Sequence, residues 1–249
     1  MERVLLVPAA GTGSRLGADL PKLLVHVNGR SMIDHLLYLY AAEVDRAVVV
    51  VSPAVRTAVE NALRDGPLPI AIAVQDSPTG MLDAILLARN AVEAASPRRV
   101  LITWCDQVAI LPQTVGAIAA ASRRVPEPAV VLPTWLGEEP YVHLDRDGSG
   151  RIVNVRHRRE GDDMPASGES DAGVFDLSVA AYLDWLPEYA KAPAIGARTG
   201  ERNFVPFVAW VTGRGPVVTV PCSRPEEAVG INTPAELQRI EAHLRERER

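Results

Sequence analysis

The chain has 249 residues, 47% of them hydrophobic and 23% charged, enough apolar material for one large core or two modest ones. Its 26 lysines and arginines stand against 31 acids, a formal net charge of -5 that excludes a general electrostatic affinity for nucleic acid, so any anion has to be bound locally. No apolar run approaches the roughly 18 residues of a membrane span, and Cys105 and Cys222 make neither a disulfide framework nor a zinc site, so the expected location is the cytoplasm.

The first element is "RVLLVPAA", a branched apolar run with the length of a buried strand, and Gly11 and Gly13 follow where that strand should end. Glycines at a strand end let backbone N–H groups approach a ligand without a Cβ in the way, which suits polyphosphate oxygens, and Arg15 and Lys22 add positive charge there. A plain solvated strand-to-helix turn fits the same residues. Two known phosphate loops do not fit. A Walker A loop needs Lys directly after its last Gly, whereas Lys22 lies well beyond Gly17; the dinucleotide fingerprint needs a Gly where Leu16 stands and an acid where Ser52 stands.

Val-rich runs recur at residues 46–52, 69–75, 99–104 and 128–134, with helical periodicity between most of them. This alternation predicts a largely parallel sheet with helices on both faces and ligands at the carboxyl ends of the strands. Gln75 ends the third run and can read one flat edge of a base, while Gly80 permits close backbone approach. Asp106 follows the fourth run, on the same sheet edge as the glycine loop. A carboxylate beside a phosphate loop suits Mg²⁺, although an Asp there also caps helices.

Beyond residue 135 the pattern changes. "YVHLDRDGSGRIVNVRH" predicts two strands joined by a hairpin, "RREGDDMPASGES" a surface loop, and "DAGVFDLS" another strand. Helical patterning is expected at 178–190 and 202–212, a strand at 216–220, and a last helix capped by Thr233 with Pro234 in its first turn; Asn232 precedes it as a turn residue. Arg156, His157, Arg158 and Arg159 form a cluster that either binds an acidic group or ends a hairpin in water.

Together these motifs resemble the sugar-phosphate nucleotidylyltransferases, over nearly the whole chain. The family's opening signature is similar to "AAGTGSRLGADLPK", and its base-reading segment pairs a Gln, a Gly and an Ala as Gln75, Gly80 and Ala84 stand here. The resemblance implies a Rossmann-like three-layer α/β fold, mostly parallel, with a small β-rich acceptor-binding subregion: one nucleotidyltransferase domain over 1–249, its nucleotide half at 1–135 and its acceptor half at 136–249. It implies that Ala10, Gly11, Thr12, Gly13, Gln75 and Gly80 bind nucleotide, that Arg15 and Lys22 are catalytic, and that Asp106 and Asn232 hold Mg²⁺. Arg156, Asp171 and Gly173 fall at its acceptor positions.

The chain departs from the pattern on the acceptor side. Arg156 replaces a Glu, Asp171 an Asn, Pro206 and Phe207 a hydroxyl and an acid, and Trp104 and Cys105 a smaller pair. The expected partners are a pyrimidine nucleoside triphosphate, UTP or dTTP first and CTP second, and a phosphorylated small acceptor. Cytidylyl transfer to a cyclitol or alcohol phosphate or a phosphonate, and a non-catalytic nucleotide binder, are the alternatives. With no appended domain read after the final helix, the second, acetyltransferase activity of some relatives is not expected.

Overall fold

A computed structural model describes residues 2–11, 16, 20–77 and 79–247. Its strands are β1 (Arg3–Pro8), β2 (His26–Val27), β3 (Arg30–Ser31), β4 (Arg46–Val51), β5 (Ile70–Val74), β6 (Arg99–Thr103), β7 (Val130–Glu138), β8 (Val142–Arg146), β9 (Ile152–His157), β10 (Ser167–Asp171), β11 (Val174–Ser178) and β12 (Val217–Pro221). The helices are α1 (Met32–Tyr40), α2 (Arg56–Ala62), α3 (Met81–Leu87), α4 (Arg89–Ala95), α5 (Pro112–Ser122), α6 (Leu186–Tyr189), α7 (Phe207–Thr212) and α8 (Pro234–Arg247).

The main sheet runs β10-β7-β11-β6-β1-β4-β5, with β12 paired to β7. β1 lies in its interior and is buried along its whole length. Because side chains alternate along a strand, Leu5 and Val7 enter one core with α1, α5 and α8, while Val4 and Leu6 enter a second with α3, α4 and α7. A sheet between two helical layers results, as the sequence predicts.

The sheet is mixed rather than simply parallel. β1, β4, β5 and β6 pair in parallel, and so do β7 and β12, but β11 runs antiparallel to β6 and β7, and β10 antiparallel to β7. Hydrophobic runs do not record strand direction, and β11 enters the sheet beside β6 from the opposite side. Its Asp176, fully buried, accepts from Arg3 at 3.1 Å and Arg99 at 3.0 Å and from Ser122. That network ties β1, β6, β11 and α5 together at the edge of the sheet remote from the glycine loop.

Two local expectations change. Residues 167–170, expected within a surface loop, belong to β10, because the long β7 offers them a ladder that their own polar sequence does not announce. The helix expected at 202–212 begins only at Phe207. The hairpin β8–β9, the strands near 174 and 217, and α8 form where expected; Thr233 accepts from Glu236 N while the Glu236 carboxylate accepts from Thr233 N, a reciprocal cap. Among the described residues, no helix is long and apolar enough to cross a membrane.

Candidate active site

β1, β5 and β6 all end at one edge of the sheet, and there a cleft of about 1100 Å³ opens between the two halves of the chain. Ala10 and Gly11 form part of its wall just beyond β1, where the Ala9 N–H extends the ladder to Val50 O at 2.7 Å. A Cβ on Gly11 would meet nothing within 4 Å among the described residues. Thr12, Gly13 and Arg15 lie outside the described residues.

Lys22 follows Pro21 in a single 3-10 turn whose next residue, Leu23, is buried in the core. Anchoring Leu23 inward turns Lys22 toward the cleft. Its ammonium donates to Asp106 Oδ2 and, at 2.8 Å, to Asn232 Oδ1. Asp106 stands just past β6, and the segment from Gly230 to Asn232 is laid against it: Ile231 N donates to Asp106 O at 3.2 Å, and a Cβ on Gly230 would lie 3.1 Å from the carboxylate. Asn232 Nδ2 donates to Gly230 O at 3.1 Å, which aims Oδ1 at Lys22. Three segments remote in sequence therefore meet at one charged point.

The donors fit a small hard cation. A carboxylate oxygen and an amide oxygen already share one positive charge, that of Lys22, and Mg²⁺ takes few protein oxygens while completing its shell with phosphate and water. Among the described residues no cluster of three or more His, Cys, Asp or Glu offers a denser metal site. Beside Asp106, the Cys105 thiol is pushed up to about 12 by burial and then by the neighbouring carboxylate, which favours the protonated thiol.

Gln75 extends β5, its N–H donating to Val51 O at 2.8 Å, and its side chain lines the cleft. Gly80 also lines it, with φ of +125°, but its missing side chain makes room for protein: a Cβ would fall 2.7 Å from both N and O of Arg202. Arg202 N donates to Thr79 O and Leu82 N to Arg202 O, each at 3.2 Å, so this glycine docks the 194–203 loop onto the start of α3.

Asp171, expected at an acceptor position, lines the cleft at the end of β10, its Oδ2 accepting from Gly173 N at 2.9 Å; burial pushes its carboxyl up to about 6. Gly173, with φ of +69°, stands behind the wall, and Trp104 and Gln107 occupy the space its side chain would take.

Arg156 does not line the cleft, contrary to the acceptor role expected of it. Strand alternation gives the reason: Val155 and His157 of β9 face the cleft, so Arg156 faces away, where Asp145 on β8 accepts both its Nε and Nη2 at 2.8 Å. From the same basic cluster it is His157 and Arg159 that reach the wall, Arg159 held by Glu201 at 2.8 and 3.1 Å. Trp135 and Tyr141, not singled out from sequence, complete this side, and Tyr141 packs edge-on against His157. The signal was present in the period of two along residues 152–157, which places 155 and 157 on one face.

A family model described as the MobA-like NTP transferase domain matches residues 5–170. The chain belongs to the MobA-like NTP transferase domain family. Curated relatives include bifunctional protein GlmU of Rhodospirillum rubrum, 29% identical over 97% of this chain and 53% of that protein, and GlmU of Anaeromyxobacter dehalogenans, 32% identical over 94% and 48%. The chain thus spans about half the length of the curated relatives it matches. A crystal structure of a putative glucose-1-phosphate thymidylyltransferase from Bacillus anthracis, in complex with a sucrose, superposes with a TM-score of 0.77 at 19% identity, covering 98% of this chain and 95% of that one. That likeness is one of fold. The expected family and the Rossmann-like α/β architecture are both borne out.

Proposed function

We propose that the cleft transfers a nucleotidyl group: an acceptor phosphate oxygen bonds to the α-phosphorus of a pyrimidine nucleoside triphosphate as the bond to the β-phosphate breaks and pyrophosphate leaves. The observation that carries this reading is the meeting of Lys22, Asp106 and Asn232 at the carboxyl edge of the sheet, beside the loop that follows β1. Such transfer needs positioning and charge neutralisation more than a covalent protein intermediate, and the protonated Cys105 agrees with that.

Asp106 and Asn232 would hold Mg²⁺, which when bound supplies charge neutralisation to the phosphates. Lys22 stabilises negative charge on the α-phosphate and acceptor, and the backbone after β1, with Arg15, holds the β- and γ-phosphates. Gln75 offers an amide to the O4 and N3–H edge of uracil or thymine, which favours UTP or dTTP, and rotating that amide serves cytosine in CTP. Residues 1–135 carry this nucleotide side and 136–249 the acceptor side, where Asp171, His157 and Arg159 face the cleft.

The acceptor is a sugar phosphate or a similar phosphorylated small molecule. The cytoplasm is where such triphosphates and acceptors meet. Metal-dependent pyrophosphate release, measured with UTP, dTTP, CTP, ATP and GTP over a panel of acceptors, tests the reading. Release that requires Mg²⁺ and prefers a pyrimidine is expected; a clear purine preference would remove Gln75 from its role, and nucleotide binding with no acceptor-dependent release would favour a non-catalytic binder.

A further inference from the structure

Among the described residues, the lysines and arginines on the cleft wall are Lys22, Arg159 and Arg239. Lys22 is engaged with Asp106 and Asn232, and Arg159, just past β9, with Glu201. Arg239 stands on α8 and belongs to neither group.

Asn232, Thr233, Glu236 and Arg239 all line the cleft, while Ile240 and Leu244 of the same helix are buried in the core. Steps of three and four residues share one helix face, so the wall that starts at Asn232 continues along α8 for about two turns, roughly 10 Å, to Arg239. Helical side chains lean toward the N-terminus of their helix, which brings the Arg239 guanidinium back toward Asn232. Leu16 and Leu23, from the segment between β1 and β2, enter the same core as Ile240 and Leu244, so that segment and α8 lie on one side of the sheet. The hairpin β8–β9, from which Arg159 extends, packs into the other core through Val142, Leu144 and Ile152. Arg239 and Arg159 therefore approach the cleft from opposite sides of the sheet.

Arg239 Nη2 donates to Glu226 Oε1 at 2.9 Å, and its side chain is half exposed. An ion pair in contact with water contributes little and exchanges partners at little cost. A phosphate offers a guanidinium the same two-oxygen match as a carboxylate but with more charge, so it can draw the arginine from Glu226. The leaving group is where such a charge counts. As the bond to the α-phosphorus breaks, the bridging oxygen keeps the electron pair and departs with the β-phosphate, and a cation beside it stabilises that charge.

We propose that Arg239 binds the β- and γ-phosphates of the triphosphate and the pyrophosphate that leaves, passing to them from Glu226 as the nucleotide enters. This rests on the nucleotidyl-transfer reading of the same cleft. Lys22 then serves the α-phosphate and Arg239 the far end of the phosphate chain.

Calorimetry with Mg²⁺ measures binding of UTP, dTTP and CTP, each against its own monophosphate, and inorganic pyrophosphate is measured as an inhibitor of the forward reaction. Arg239→Gln is expected to weaken the preferred triphosphate about tenfold and pyrophosphate by a similar factor, with monophosphate affinity and acceptor KM within about twofold of the wild type. Arg239→Lys recovers part of the loss. Glu226→Gln, which removes the competing carboxylate, leaves triphosphate binding as tight as in the wild type or tighter, whereas a merely structural ion pair would make both variants lose alike. Unchanged triphosphate binding by Arg239→Gln, a loss shared equally by the monophosphate, or a change confined to the acceptor KM overturns this role while leaving nucleotidyl transfer standing. Absence of wild-type binding for all three triphosphates removes the reading of the cleft, and the role of Arg239 with it.

Discussion

The ammonium of Lys22 is bonded to the carboxylate of Asp106, a residue 84 positions further along the chain. Asn232 Oδ1, 2.8 Å from the same nitrogen, completes the set, so the lysine sits where the proposed cation would share those oxygens. On the proposed metal assignment, Lys22 and a divalent ion would compete for these oxygens. Replacing the lysine with an uncharged side chain of similar length should free the oxygens. Lys22→Met is expected to bind Mn²⁺ in the absence of nucleotide about tenfold more tightly than the wild type, the size of a single charge competition worth about 1.4 kcal/mol. Calorimetric titration with Mn²⁺ measures it, and an affinity no higher than that of the wild type would place the ion elsewhere.

Asp171 gives a prediction about stability and pH. Burial raises its carboxyl from the ordinary 3.8 to about 6, so the folded protein holds this proton more tightly than the unfolded chain does. The group's contribution is then fully present below the unfolded value and is lost as pH rises through about 6. A shift of about two units corresponds to about 3 kcal/mol at neutral pH and above. Asp171→Asn removes the titration. Urea unfolding should give the variant and the wild type similar stability changes near pH 4, and a gain for the variant that grows to at most about 3 kcal/mol by pH 7.5. A difference that stays constant with pH would mean that the carboxyl is not desolvated as described.

The basic cluster separates by strand face. Arg159 reaches the cleft and Arg156 pairs with Asp145 away from it, so the two substitutions should behave differently. Arg159→Ala is expected to raise the acceptor KM about tenfold, the effect of losing one charged contact, with the triphosphate KM little changed. Arg156→Ala should leave both KM values within about twofold, in line with an exposed ion pair that contributes little. Initial-rate kinetics decide it, and the opposite ranking would return Arg156 to the acceptor side.

Much of the structure of residues 1–135 was legible in the sequence. The runs that became β1, β4 and β6 are short, branched and apolar because both faces of those strands are covered, and a strand buried twice has little choice of composition. Lys22, Asp106 and Asn232 could be named from their motifs, but that they touch is a fact of tertiary structure. What escaped was whatever depends on a partner. β10 reads Ser-Gly-Glu-Ser-Asp and becomes a strand only because β7 extends past its other neighbours, and β11 reverses direction without any trace in its residues. Gly80 was expected to permit a close ligand approach; it lines the cleft, and its missing side chain also leaves room for the Arg202 backbone, which the sequence did not announce.

The central claim is that Lys22 and Asp106 act on one triphosphate. Single-turnover pyrophosphate release by Lys22→Ala, Asp106→Ala and the double variant, with Mg²⁺, a pyrimidine triphosphate and a working acceptor, tests it directly. Each single variant is expected to lose about a hundredfold or more in rate, and the double variant little beyond the worse of the two, because the residues serve the same transition state. Near wild-type release by either single variant, or losses that simply multiply, would contradict it.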